Sequence, residues 1–381
     1  MPECFLVRVL VVDDSAFMRK AISQALASDP SIEVVGTACN GQDGLDKAKK
    51  LAPDVVTLDI EMPVMDGMAA LIRIRSECPE PKPAVLMCST LTSAGSHEAL
   101  KALRLGAADV IAKDPQALGT GAEAARGELL AKVKAVGEPV ARRRATMGVP
   151  SAAPAFIRAA RPVPPRPDGA PAVQAPRSID LEGKSFDLVV IGSSTGGPPV
   201  LETILTALPA DFPCPVIVAQ HMPFMFTKSM SERLDEVCAV TTVHAEDGMV
   251  LRAGCVYLIP GGKHGRVKRA GARLTIEVGE EPKSALYRPS ANELFASAAG
   301  ACGPRCLGVM LTGMGDDGVV GARLLHAAGG PIVAQDAESC VVYGMPRAVV
   351  DSGLAAAAMP PAGIAQALAR LSPTRSTGAA A

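Results

Sequence analysis

Tryptophan is absent from these 381 residues, and the other aromatics are three tyrosines and eight phenylalanines. Proteins that hold single-stranded nucleic acid stack its bases on aromatic rings, so this composition argues against that class. Charge of one sign is not in excess either: 38 Lys and Arg stand against 39 Asp and Glu. That balance removes the electrostatic footprint of a nucleic-acid or anionic-membrane partner. Cysteine pairs are missing as well. The ten cysteines are scattered without a CxxC, and Cys302 with Cys306 lacks downstream partners for a zinc site. Buried free thiols are expected. No apolar run reaches membrane-spanning length, and the first one stops at Asp13-Asp14, too short for a signal peptide. A soluble, cytoplasmic chain without membrane insertion is the expectation.

What is present is alternation. From residue 7 to about 125, the strand candidates VRVLVV, IEVVGTA, DVVTLD, AVLMCS and ADVIAK alternate with amphipathic helical stretches. Strand and helix in turn imply βαβ units and a parallel sheet covered on both faces. The chain is therefore read as α/β, with a first doubly wound domain over residues 7–125. Nine prolines then stand among Ala and Arg from Pro139 to Pro176. Residues 126–180 are expected to be an extended, semi-rigid linker. A second alternation begins with FDLVVIG at Phe186 and ends with PIVAQ. It predicts a second doubly wound, Rossmann-like, mostly parallel domain over residues 181–372, with a hairpin near residues 255–278. Residues 373–381 are expected to be a disordered tail.

In open parallel sheets, function collects at the carboxyl ends of the strands. In the first domain those ends carry Asp13-Asp14, Asp59, Ser89 and Lys113. Three carboxylates in one crevice repel each other unless a hard cation lies among them, and magnesium suits such oxygen ligands. The lysine supplies a fixed positive charge for an oxyanion.

Taken together, VLVVDDS, DVVTLDIEMPVMDG, LMCST and VIAK resemble the receiver domain of two-component response regulators, a flavodoxin-like fold. The resemblance implies that Asp59 accepts a phosphoryl group from a histidine kinase. It implies that Asp13, Asp14, Asp59 and the main-chain carbonyl of Glu61 hold Mg2+, and that Ser89 and Lys113 contact the phosphoryl group. Two departures stand out. Val110 occupies the position where that family often has an aromatic switch residue, and Asp114 separates Lys113 from Pro115.

The second domain opens on a turn crowded with hydroxyls, GSSTGG after the strand ending at Gly192. Ser193, Ser194 and Thr195 fall at the sheet's carboxyl edge, where a helix N-terminus offers amides suited to an oxyanion. A nucleophilic serine also needs a base and a group that orients the base. Of five histidines, His221 alone follows a strand on that edge, and Asp316 and Asp317 follow a third strand end in LTGMGDDG. The turn lacks the G-x-G-x-x-G spacing and the P-loop lysine. On spacing alone a hydrolase, a nucleotide site and a structural turn all remain open.

IGSSTGG, QHMP, YRPS and LTGMGDDG together resemble the catalytic domain of the bacterial chemotaxis protein-glutamate methylesterases, which follows a receiver and a tether in that family. The resemblance implies Ser194 as nucleophile, His221 as general base and Asp317 as orienting carboxylate, with Thr195 and the Met314 N–H as oxyanion candidates. It implies demethylation of glutamate γ-methyl esters and deamidation of certain glutamines on chemoreceptors, with no cofactor for the esterase. A monomer is expected. Asp316 stands where the family often has Asn.

Overall fold

The structure is a computed structural model that describes residues 5–90, 92–113, 123–147 and 178–373. The centre of the expected linker, nearly all of the expected tail, and Asp114 and Pro115 lie outside the described residues. The chain forms two compact units.

The first unit alternates β1 (Val7–Val12), α1 (Ala16–Ala27), β2 (Ile32–Ala38), α2 (Gly41–Leu51), β3 (Val55–Asp59), α3 (Gly67–Glu77), β4 (Ala84–Thr90), α4 (Ser93–Arg104) and β5 (Asp109–Lys113). Its five strands pair in parallel in the order β2-β1-β3-β4-β5. Ser15, Asn40 and Asp66 cap the first three helices through their side chains, each satisfying one of the amides a helix start leaves without a partner. The order of connection reverses between β1 and β3, so Asp13 and Asp59 flank the crevice where such sheets place their sites.

One boundary differs from the sequence reading. The first third of the expected linker is helical: α5 spans Glu123–Thr146. Leu129, Val133, Val136 and Val140 are buried, a four-three-four spacing that turns one face of the helix inward. Gly137 allows close approach, since a Cβ there would lie 2.4 Å from Val7 and 2.7 Å from Val55. At the helix end, Arg144 Nε donates to Asp54 Oδ1 at 2.8 Å and a second guanidinium nitrogen to Oδ2 at 3.1 Å. Asp54 is fully buried. Replacing Arg144 by methionine removes the countercharge and leaves that carboxylate with the Arg8 N–H at 2.8 Å, and should cost the first unit about 3 kcal/mol, read as a lower urea midpoint.

The second unit contains β6 (Leu188–Ser193), α6 (Gly197–Leu205), β7 (Val216–Gln220), α7 (Phe224–Val237), β8 (Thr241–His244), β9 (Cys255–Leu258), β10 (His264–Ala270) and β11 (Arg273–Gly279). It continues through α8 (Ala291–Cys302), β12 (Cys306–Met310), α9 (Val319–Ala327), β13 (Ile332–Gln335), α10 (Met345–Asp351), β14 (Ala357–Met359) and α11 (Pro361–Ala369). Seven strands pair in the order β14-β13-β12-β6-β7-β9-β8, all parallel. The expected hairpin is displaced: β9 belongs to this sheet, and the antiparallel pair is β10 with β11. The HGRVKRA sequence of β10 is exposed in its last three residues, so it gives no apolar run. The winding turns at β6, with β7 on one side and β12 on the other. All six residues of β6 are buried, and the hydroxyl turn emerges at that central point.

Candidate active site and acidic pocket

In the first unit, ligand oxygens of Asp13, Asp14 and Asp59 all lie within 4.8 Å of one another. Lys113 Nζ lies 2.8 Å from Asp13 Oδ2 and 2.6 Å from Asp59 Oδ2. Ser89 is buried on β4 and pairs with Ala112, beside Lys113. Glu61 lies in the exposed turn after β3. Val110 is buried in β5, and its carbonyl accepts Lys132 Nζ at 2.7 Å. Burial pushes the Asp59 carboxyl above its ordinary value; Lys113 opposes that rise and the Asp13 charge adds to it. Burial disfavours the Lys113 charge, but Asp13 and Asp59 outweigh it and raise the lysine's pKa. One partly buried lysine, paired with Asp13 and Asp59, leaves negative charge in excess among the three clustered carboxylates, and these oxygens suit a hard divalent cation.

A group whose pKa is raised on folding contributes stability that is full below its unfolded pKa and lost as pH rises through the folded value. Asp59→Asn should therefore raise the melting temperature of the first unit at neutral pH without Mg2+. Added Mg2+ should stabilise the parent chain and narrow the gap.

In the second unit, Ser193 ends β6 and pairs with Gln220, the last residue of β7. Ser194 and His221 thus leave adjacent strands side by side, and the His221 N–H donates to the Ser193 carbonyl at 3.0 Å. Ser193 is fully buried, and its hydroxyl donates to Gln220 Oε1 at 2.5 Å. Gln220 Nε2 in turn donates to the Ser194 carbonyl at 2.9 Å. Ser193 is thereby committed to the scaffold. On the β12 side, the Ser194 N–H donates to the Thr312 carbonyl at 3.0 Å. A Cβ on Gly313, in the loop after β12, would lie 2.7 Å from the Ser194 Cβ, so only glycine lets that loop pass this close.

His221 Nε2 lies 2.8 Å from Asp317 Oδ2. Asp317 accepts three further hydrogen bonds: Ser290 Oγ at 2.8 Å and the Asn292 N–H at 3.2 Å on Oδ1, and the Ala291 N–H at 2.6 Å on Oδ2. The carboxylate caps α8 from another segment, a favourable place for negative charge. Ser290 holds the N-cap position but makes no cap bond of its own. Burial pushes the Asp317 carboxyl up, but the bonds from His221, Ser290 and Ala291 outweigh it and hold its pKa below the ordinary value. Asp316 beside it is exposed. Among the described residues, His221 Nδ1 is buried without a hydrogen-bond partner. With Nε2 on the carboxylate, Nδ1 is the nitrogen left to receive a proton. Bonds between a base and its nucleophile often close only around substrate.

The expected supply of helix amides is smaller than the sequence suggested. Pro198 and Pro199 follow Gly197 at the start of α6 and carry no N–H, and the Gly197 N–H donates to the Ser194 carbonyl at 2.8 Å. Among the described residues, the Gly196 and Met314 N–H groups are not used by another main-chain carbonyl. Thr195 is buried, and its carbonyl accepts the Thr312 hydroxyl at 3.0 Å. Three contributors carried no assigned role in the sequence: Gln220, Ser290 and Tyr287, whose ring stacks on His221 with centroids 4.3 Å apart and planes 7° from parallel. The YRPS motif holds two of them.

Two parallel α/β units, one with an acidic pocket and one with a serine, a histidine and a carboxylate near the turning point of its sheet, have the architecture of a receiver domain followed by a parallel-sheet enzyme domain. A family model described as response regulator receiver domain matches residues 9–119, and one described as CheB methylesterase matches residues 189–368. The chain is 49% identical over 357 residues to protein-glutamate methylesterase/protein-glutamine glutaminase 1 of Oleidesulfovibrio alaskensis, covering 92% of this chain and 95% of that one. It is 43% identical to the protein-glutamate methylesterase/protein-glutamine glutaminase of Lawsonia intracellularis, with the same coverage of 92% and 95%. The crystal structure of the Thermotoga maritima CheB methylesterase catalytic domain is 40% identical, with a TM-score of 0.47, covering 49% of this chain and 98% of that one. This chain belongs to the CheB methylesterase family. Among the described residues, no helix is long and apolar enough to cross a membrane.

Proposed function

We propose that this chain hydrolyses glutamate γ-methyl esters on chemoreceptors, releasing methanol, and deamidates certain receptor glutamines, under the control of Asp59 phosphorylation by a histidine kinase. The observation that carries the reading is the bond from His221 to a buried, four-fold hydrogen-bonded Asp317, with His221 leaving the strand beside Ser194. Both relatives described above carry names for the two activities.

Ser194 attacks the γ-carbonyl while His221 Nδ1 takes its proton, and Asp317 stabilises the imidazolium that forms. The oxyanion develops against the Thr195 turn and the Met314 N–H. Collapse expels the methoxy group, which leaves as methanol with the proton from His221. A water then attacks the acyl-enzyme as His221 again takes the proton, and glutamate is released from Ser194. With a glutamine substrate, ammonia is the leaving group. The hydroxyl, the imidazole and a water suffice for these steps, so the esterase calls for no cofactor.

In the receiver, Asp13, Asp14, Asp59 and the main-chain carbonyl of Glu61 would hold Mg2+. When bound, it supplies the charge that draws a phosphoryl group toward Asp59. Lys113 and Ser89 contact that group. The test is methanol release from methylated receptor membranes by the intact chain, with and without a small-molecule phosphodonor and Mg2+. Phosphodonor should raise the rate. Asp59→Ala should keep the basal rate and lose the rise. No methanol under either condition would remove the reading.

A further inference from the structure

The hydrogen bond to Asp317 fixes His221 at one ring nitrogen only. About that point the imidazole can still tilt, and its other nitrogen has no partner among the described residues. Tilt is restrained instead by the flat contact with Tyr287, at 4.3 Å between centroids and 7° between planes. Tyr287 is itself held by a segment that serves the same site. Three residues on, Ser290 donates to Asp317 at 2.8 Å, and the intervening Arg288 carbonyl accepts the Gly262 N–H at 3.0 Å. One short stretch thus touches the carboxylate through Ser290 and the face of the base through Tyr287.

We propose that Tyr287 is a positioning residue for His221, a role that rests on the Ser194–His221–Asp317 reading above. Its ring keeps the imidazole plane directed so that Nδ1 meets the Ser194 proton. The stack has a second effect, because the electron-rich face of a phenol attracts a cation more than a neutral ring. His221 is neutral before the attack and positive after it, so the contact strengthens as the reaction proceeds. An interaction that is stronger in the transition state than in the ground state appears in kcat rather than in KM.

The experiment uses the full chain with phosphodonor and Mg2+, comparing the parent with Tyr287→Phe, Tyr287→Leu and Tyr287→Met. Two readouts are followed: methanol release from methylated receptor membranes, and the rate at which a small fluorophosphonate labels Ser194, which needs no receptor docking. Tyr287→Leu and Tyr287→Met should lower kcat and the labelling rate roughly tenfold, with KM changed by less than about twofold. Tyr287→Phe keeps the ring face and should stay within about threefold of the parent. A loss confined to KM, with labelling unchanged, would make Tyr287 a receptor contact and overturn the proposal. So would a Phe variant as slow as the Leu variant, since the hydroxyl and not the face would then matter. Melting curves accompany each variant, and rates are compared at a temperature at which all of them are folded. A parent chain that neither releases methanol nor labels at Ser194 overturns the functional reading and this inference with it. A parent that labels no faster than Tyr287→Leu overturns this inference only.

Discussion

Ser194→Ala should lower methanol release on the order of 10⁴-fold or more, while melting and Asp59 phosphorylation stay as in the parent chain. The side chain is small and sits at the end of a strand whose main chain is already held by Thr312 and Gln220. Losing one hydroxyl there has little to destabilise. Ser193→Ala should show the opposite pattern. Its hydroxyl is fully buried on Gln220, so removal leaves a buried acceptor unsatisfied and should cost about 1–3 kcal/mol of stability. Catalysis should stay within a few-fold. Exchange of the two phenotypes would place the nucleophile one residue earlier than argued above.

Asp317→Asn should lower the rate on the order of 10⁴-fold, because the charge that fixes the imidazole tautomer is gone. The structure adds a second cost. Each carboxylate oxygen accepts two donors, Ser290 and Asn292 on one side and His221 and Ala291 on the other. An amide has one acceptor oxygen, so either orientation turns an NH2 group toward a pair of donors. About 1–3 kcal/mol of stability should go with the activity. Because the Asp317 pKa is depressed by folding, its stabilisation is present above the ordinary carboxylate value and lost as pH falls through the lower folded one. The stability gap between parent and Asp317→Asn should therefore be full at neutral pH and shrink below about pH 4. Asp316→Asn, at an exposed position, should remain within a few-fold of the parent, since solvent screens that charge. Equal damage from both substitutions, measured as kcat and as melting temperature, would reverse their roles.

The strand ends were legible because a parallel sheet buried on both faces needs unbroken apolar runs, and those runs stop where chemistry starts. Asp13, Asp59, Ser194 and His221 could each be placed from that rule. Helix α5 was not, although Leu129, Val133, Val136 and Val140 hold its period. Gly137, Pro139 and three consecutive arginines interrupt the pattern and share the composition of the tether that follows. The last of those arginines, Arg144, is held by a buried ion pair with Asp54, ninety residues away, which no local window contains. Strand β10 escaped for a related reason, its charged half facing solvent. The role of Tyr287 depends on a loop returning to the face of a histidine 66 positions earlier (287 − 221), which only the folded chain discloses. The proline pair after the hydroxyl turn was readable, yet its consequence for amide donors became visible only with the start of α6 set at Gly197.

The proposed site draws on residues 194, 221, 287, 290 and 317, spread along more than half of the second unit. During synthesis the chain leaves the ribosome at roughly 5–20 residues per second, and domains fold in order from the N-terminus. The receiver, closed by α5 at Thr146, is complete while the histidine and its carboxylate have yet to be translated. Each chain should therefore spend several seconds or more with a finished receiver domain and an unfinished esterase domain. On the proposed function, a ribosome stalled before Asp317 would leave a receiver that competes for the kinase and demethylates nothing.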